Sequence, residues 1–281
     1  MGQTAEIKGY SLNKLCSYFG YSRSAYYKSL NVYTTTVLNE ELIEKLVNDI
    51  RYHQPRIGGK KLYHLLKADL HKIDAGLGRD KFFDILRNKK LLVKRRKKYV
   101  YTTDSFHRFR VYKNAFKNKL LTGPHQALVS DITYLRIGDG FVYLFLITDA
   151  YSRKIAGWSL SGSLSIEGAI KALKMAVKQS LQTEGIIHHS DRGIQYCSNG
   201  YVALMKKHKM IISMTEENHC YENAMAERVN GILKDEFLLD ERFSNQPMAL
   251  KAVKQAIETY NTRRPHWSLS LYTPEQIHKA A

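Results

Sequence analysis

Three acidic residues in separate stretches of the chain have the type and setting to hold metal ions. Asp131 lies in Val129-Ser130-Asp131-Ile132-Thr133-Tyr134, Asp191 in His189-Ser190-Asp191-Arg192-Gly193, and Glu227 in Tyr221-Glu222-Asn223-Ala224-Met225-Ala226-Glu227-Arg228. Carboxylates supply the hard oxygen donors that Mg²⁺ prefers, and Mg²⁺ keeps waters and substrate phosphates in its remaining positions. Two such ions about 3.5–4 Å apart stabilise the attacking and leaving oxygens of an in-line phosphoryl transfer. On this reading Asp131, on a central strand, bridges the ions, while Asp191 holds one and Glu227 the other. Glu222 rivals Glu227 as third ligand. Glu227 is preferred because helical spacing puts it on one face with Asn230, Gly231 and Lys234. Lys234 could then grip a phosphate beside the metals; the plainer alternative is a surface ion pair. Asp149 ends an apolar strand and is either a turn residue or an auxiliary acid. His188 and His189 flank the strand end; a structural histidine is favoured over one that orients Asp191. Cys16, Cys197 and Cys220 show neither zinc nor disulfide spacing.

The elements that must position these groups follow from periodicity. Residues 127–134 and 141–148 read as strands around a Gly138-Asp139-Gly140 turn, with a third strand over 154–160. A helix capped by Ser165 runs to about Gln182. A buried strand over 185–189 ends at Asp191, a helix covers about 198–207, and a strand covers 211–214. The segment Thr215–Tyr221 is polar and reads as a mobile loop. A helix from near Asn223 carries Glu227, and a long last helix starts near Ser244 or Asn245 and stops before Pro265. This order predicts an α/β fold with a mixed sheet. Asp131 falls at the end or middle of its strand and Asp191 just past its own, where active groups gather in such sheets.

Charge divides the chain. Residues 1–123 carry 26 Lys/Arg against 10 Asp/Glu, and residues 124–281 carry 18 against 16, so almost all of the net +18 lies in the first half. That half also reads as short helices. Residues 11–29 pattern as helix, Gly20 turn and a second helix capped by Ser22, the arrangement of a DNA reader, with Arg23, Ser24, Tyr27 and Lys28 as contacts. Residues 38–53, 60–70 and 79–90 pattern as three further helices. Leu42, Ile43, Leu46, Val47 and Ile50, then Leu62, Leu65, Leu66 and Leu70, then Phe82, Phe83 and Leu86 face inward, and Arg79, Lys81 and Arg87 face DNA. The run Lys89–Lys98, including Lys94, Arg95 and Arg96, suits polyphosphate. The expected organisation is a helix-turn-helix over 1–33, a basic three-helix DNA-binding domain over 38–98, a basic linker over 99–123 and a catalytic core over 124–281. No segment reaches the ~18–20 apolar residues of a membrane span, and no secretory signal is visible, so a cytoplasmic location is expected.

Four stretches taken together resemble one family. Ser130–Tyr134, Asp149–Trp158, His189–Tyr196 and Asn223–Glu227 resemble insertion-sequence transposases of the DDE, retroviral-integrase-like superfamily, more narrowly the catalytic second-frame product of two-frame bacterial elements. Leu233–Glu236, Tyr260–His266 and Thr273-Pro274 extend the likeness to the C-terminus, and residues 38–98 resemble that family's helix-turn-helix segment. The resemblance implies an RNase H-like core with Asp131, Asp191 and Glu227 as the catalytic and metal-binding triad, using Mg²⁺ or Mn²⁺, two ions. It implies cleavage of element ends by water and attack of the freed 3′-hydroxyl on another DNA strand. It also implies homo-oligomers that synapse two DNA ends, double-stranded DNA partners in terminal inverted repeats and target, and an upstream-frame partner protein. Leu128 stands where Trp is usual and His219 where Gly is common, without loss of a ligand. The alternative is a catalytically silent helix-turn-helix regulator or domesticated remnant.

Overall fold

The computed structural model describes residues 10–94, 109–180, 182–216 and 223–280. The chain folds as two compact units: a helical unit, residues 1–52 with 58–93, and a core unit, residues 53–57 with 94–281.

In the helical unit, Ser11 accepts the amide of Lys14 and starts α1, Leu12–Tyr18. Gly20 turns the chain with φ +73. Ser22 accepts the amide of Ala25 at 3.0 Å and caps α2, as its hydroxyl suggested. α2 then runs unbroken from Arg23 to His53. The expected stop near Lys28 is therefore wrong, and the boundary expected between residues 33 and 38 falls inside one helix. Thr34, Thr35 and Thr36 do not stop it, because β-branched residues only lower helix propensity slightly. The hydroxyls of Thr34 and Thr36 return to the carbonyls of Leu30 and Val32 at 2.9 and 2.8 Å, and no Gly or Pro interrupts the run. α3 spans Gly59–Ile73 and α4 spans Arg79–Asn88. Ile43, Val47, Leu62, Leu66, Leu70, Phe82 and Leu86 are buried as expected, but Leu42 is 51% exposed and Leu65 is 39% exposed, so the inward stripes are narrower than their apolar residues. Gly59 lies against α4: a Cβ there would come within 2.9 Å of the Phe83 ring.

In the core unit, β1 (Ala127–Ile137) and β2 (Gly140–Asp149) form a hairpin, with β3 (Ile155–Ser161) antiparallel beside β2. β4 (Ile187–Ser190) lies parallel to β1, and β5 (Ile211–Met214) parallel to β4. The sheet order is β3-β2-β1-β4-β5, the mixed sheet that the element order predicted. Alternation along β2 feeds two cores. Phe145 and Ile147 pack with Leu128, Leu173 and Tyr201 beneath α5 (Ile166–Lys178), α6 (Ile194–Cys197) and α7 (Asn199–Lys207). Leu144 and Leu146 pack with Leu135, Val229, Leu233, Val253 and Ile257 beneath α8 (Ala224–Glu236) and α9 (Gln246–Thr262). Leu128 is buried where the resemblance placed Trp. α5 can approach β3 only because residue 157 is Gly: a Cβ would sit 2.1 Å from the Ala172 carbonyl oxygen.

Three details differ from expectation. α5 ends at Lys178, short of Gln182. The one-turn α6 precedes the helix expected from Ser198. α10 (Pro274–Lys279) follows a short 3-10 turn, Trp267–Leu269, and is started by a capping box between Thr273 and Gln276. That last signal, Thr-Pro-Glu-Gln, was legible in the sequence.

Candidate active site

Asp131 is the one carboxylate of β1 and lies near its middle, paired in register with Leu146. Alternate residues of a strand share a face, so its side chain leaves the sheet on the side of Leu135, the face that α8 and α9 cover. Asp191 follows immediately after β4, the parallel neighbour of β1. Glu227 lies in the exposed first turn of α8. The three acids act on one another. Burial, then the charge of Asp191, push the Asp131 carboxyl up to about 7, with Glu227 adding to the rise; hydrogen bonds from Asn230 and from the Ile132 amide oppose it. Burial and Asp191 also raise Glu227. Like charges at short range disfavour joint ionisation, so the three carboxylates share one electrostatic site. Among the described residues, no three His, Cys, Asp or Glu side chains are gathered into a ready-made metal cage.

Two asparagines on α8 and its cap tie the helix to β1. Asn230 donates from Nδ2 to Asp131 Oδ2 at 2.8 Å, and Asn223 donates from Nδ2 to the Ser130 carbonyl at 3.2 Å. Both are buried, and their amide oxygens have no hydrogen-bond partner among the described residues. The sequence places Asn223 only at the start of this helix, one turn before Glu227, and does not disclose its contact with β1. Lys234 shares the face of Glu227 and Asn230 and lies 4.3 Å from the ring centre of Tyr134 on β1. Burial lowers its pKa, and the charge of Asp131 works in the opposite direction. Its attractions are thus a tyrosine face and the acidic site, in place of an i,i+4 surface pair.

The Asp191 loop is held by short contacts. The Gly193 amide donates to Asp191 Oδ1 at 2.9 Å, and a Cβ at Gly193 would lie 3.0 Å from that oxygen. Arg192 donates from Nε to the Thr215 carbonyl at 2.7 Å and from Nη2 to the Glu216 carbonyl. The histidines are structural. His188 Nε2 meets Ser130 Oγ at 2.7 Å and the Tyr201 hydroxyl at 2.9 Å, and burial, then His189, hold its pKa down to about 3. His189 Nδ1 pairs with Ser213 Oγ at 2.8 Å and its ring packs on Phe116. Asp149 is a turn residue: it accepts the amides of Tyr151, Ser152 and His125 and the Ser152 hydroxyl. Glu222, Cys220 and His219 lie outside the described residues. Cys16 and Cys197 are buried and free.

The candidate DNA contacts of the helical unit are exposed. Arg79 pairs with Asp80 at 2.9 Å, Lys81 with Asp74 at 2.8 Å, and Arg87 with Asp84. Exposed pairs of this kind contribute little to stability and exchange readily for phosphate. Arg23 and Lys28 project from the exposed start of α2, and Lys94 is exposed at the end of the described helical stretch. Arg95 and Arg96 lie outside the described residues. No helix among the described residues is long and apolar enough to cross a membrane.

Two models of the integrase core domain match, one over residues 122–220 and one over 208–274. The chain is 31% identical over 273 residues to the "Insertion element IS600 uncharacterized 31 kDa protein" of Shigella sonnei, covering 95% of this chain and all of that protein. It is 34% identical over 194 residues to "Transposase InsF for insertion sequence IS3A" of Escherichia coli (strain K12), covering 68% of this chain and 67% of that one. Among solved structures, the simian T-cell lymphotropic virus intasome in complex with PP2A regulatory subunit B56 gamma superposes with a TM-score of 0.50 at 19% identity, over 79% of this chain and 74% of that one. At that identity the likeness concerns the fold: the same mixed sheet with helices on both faces.

Proposed function

The chain belongs to the insertion-sequence transposases built on an integrase core domain, and from that premise we propose that Asp131, Asp191 and Glu227 form the divalent-metal site at which it cuts and joins DNA. It is a transposase, and therefore a polynucleotidyl transferase. The observation that carries the site assignment is the coupling of three acids from β1, the β4 end and α8: burial first, then the charge of Asp191 and more weakly that of Glu227, lift Asp131 to about 7, and burial and Asp191 raise Glu227. A divalent cation removes that penalty by pairing with the carboxylates.

The donor set fits Mg²⁺ or Mn²⁺, as two ions. All three side chains offer hard oxygens and Glu227 is exposed, so a bound ion would keep positions for water and phosphate oxygens. The unpartnered amide oxygen of Asn230, on a side chain already bonded to Asp131, can accept a hydrogen bond from a shell water. The bound metal supplies charge stabilisation to the phosphorane-like transition state and lowers the pKa of the attacking group. The chain itself does the rest. Asn230 and the Ile132 amide orient the Asp131 carboxylate, the Gly193 amide fixes Asp191, and the Asn223 bond to Ser130 keeps the start of α8 against β1. Lys234 reaches a non-bridging phosphate oxygen. In the first step water bonds to phosphorus, the bond to the element's 3′ oxygen breaks, and that oxygen gains a proton. In the second, the freed 3′-hydroxyl bonds to a target phosphorus and releases its proton to solvent, the bond to another 3′ oxygen breaks, and that oxygen takes up a proton from solvent.

The finer reading follows the same line. The DNA partners are the element's terminal inverted repeats and the target, held by the basic helical unit, with 99–123 as an arm to the core at 124–281. The working form is a homo-oligomer synapsing two ends, with an upstream-frame product as a further partner, in the cytoplasm at the nucleoid. The test is incubation with DNA carrying the element ends and Mg²⁺. Cleavage and joined products from the natural chain, absent from Asp131→Asn with binding retained, support the assignment. Retained cutting by Asp131→Asn refutes it; binding without cutting by the natural chain favours a silent regulator.

A further inference from the structure

A concave site lies in the core unit, lined by none of the three acids. It encloses about 540 Å³, within the ~300–1,000 Å³ of pockets that take small organic groups. Lys119 from the segment before β1, Tyr151 and Arg153 from the β2–β3 connection, Met225 from α8, and Ser270 and Tyr272 after the 3-10 turn line it. Two of these are cations, and no acidic residue lines the pocket among the described residues. Tyr272 is 54% exposed, so the mouth is open.

Its walls are also conformationally costly. Arg153 and Ser270 of the lining adopt φ values of 64 and 52, and Leu271, between the lining residues Ser270 and Tyr272, a φ of 68, all in the left-handed region that non-glycine residues rarely occupy. Such residues persist where the surroundings hold them, and they cluster at ligand clamps. Arg153 is so held: its guanidinium donates to the Ala150 carbonyl and lies beside the Met225 sulfur, and the Tyr260 hydroxyl donates to its carbonyl at 3.1 Å. Met225 and Glu227 occupy the same first turn of α8, two residues apart.

We infer that this pocket holds one nucleotide of single-stranded DNA, drawn from the duplex beside the cut end, its base on Tyr151 or Tyr272 and its phosphate on Lys119 and Arg153. The identification of the ligand as DNA rests on the transposase reading. The chemistry favours a nucleotide over other occupants. An acidic peptide would satisfy the cations and leave the ring faces idle, and an apolar segment would bury the cations unpaired. A nucleotide uses both, because every base has a stacking face and every link an anionic oxygen.

The experiment uses the full chain in EDTA, where no metal-dependent cutting occurs. The probes are short duplexes, blunt or with one unpaired 2-aminopurine nucleotide at the 3′ or the 5′ end. One overhang polarity is expected to bind about tenfold more tightly than the blunt duplex, with quenched fluorescence, as stacking on an aromatic side chain provides. In Tyr272→Ala and Lys119→Ala the ratio of overhang to blunt affinity is expected to fall to about twofold or less. Equal affinity for all three duplexes, or an unchanged ratio in both variants, overturns the proposal. A chain that cuts DNA with Mg²⁺ yet shows no overhang preference overturns the pocket alone. One that prefers the overhang while Asp131→Asn still cuts overturns the acid assignment alone.

Discussion

The helical unit buries single residues from narrow stripes, such as Ile43 and Val47 on the 31-residue α2, and leaves Arg79, Lys81 and Arg87 at the surface beside its own carboxylates. The core unit interleaves two cores through alternate residues of one strand and half-buries acids that repel one another. The difference separates two physical tasks. Holding DNA asks for many weak, exchangeable charges, each contributing a counterion's worth of affinity. Moving a phosphoryl group asks for a few groups fixed before the substrate arrives. Damage to the first should be graded, and damage to the second close to all-or-none.

The largest effect expected is on chemistry. Asp131→Asn should lower strand transfer by about 10³-fold or more in a gel assay of joined products, while DNA affinity changes by no more than about twofold. A loss shared equally between binding and joining would erase the contrast. Next comes packing. Gly157→Ala should cost the core about 2–3 kcal/mol in urea unfolding, because its Cβ meets the α5 backbone at 2.1 Å. A cost under about 0.5 kcal/mol, the level of an ordinary surface change, would mean that the sheet and α5 are not rigidly packed.

A smaller and graded effect is expected in the basic half. Replacing Lys94, Arg95 and Arg96 with Ala should weaken DNA binding and reduce the slope of log affinity against log salt by about 2–3, as loss of three phosphate contacts requires. An unchanged slope removes this run from the interface. The smallest effect is a pH trend. The Asp131 carboxyl is raised in the folded chain, so the stability it contributes is full below its ordinary unfolded value of about 3.9. That stability is lost as pH rises through about 7. Without metal, the melting temperature should therefore fall between pH 5 and 8 more in the natural chain than in Asp131→Asn. Added Mn²⁺ should raise it more at pH 8 than at pH 5. Equal trends in the two chains would show that Asp131 ionises without cost.

Much of the core was legible because strands and helices there carry clean signals. β5 lies where its apolar run ends, the β1–β2 turn falls at Gly138, and the caps at Ser22 and Asn245 start their helices. The helical unit was less legible around residues 29–37. There a weakly helical Thr run carries no stop signal, and no tertiary contact announces itself in the sequence, since most of those residues are exposed. The face shared by Glu227, Asn230 and Lys234 follows from helical periodicity alone. That Asn230 spends its amide on Asp131, or that Asn223 reaches the Ser130 carbonyl, does not, because neither strand position is fixed until the sheet and α8 meet.

Residue type and spacing alone determined that this chain has a basic helical half, a mixed-sheet half and three acids in recognisable surroundings, since periodicity, capping and charge are local properties. Only the tertiary structure decided which acids feel each other's charge, that His188 is sealed as a neutral hydrogen-bond partner, and that Asp149 is a turn residue. Burial and mutual repulsion depend on distances between residues far apart in the chain, and those distances come into being only when the two cores close on either side of the sheet.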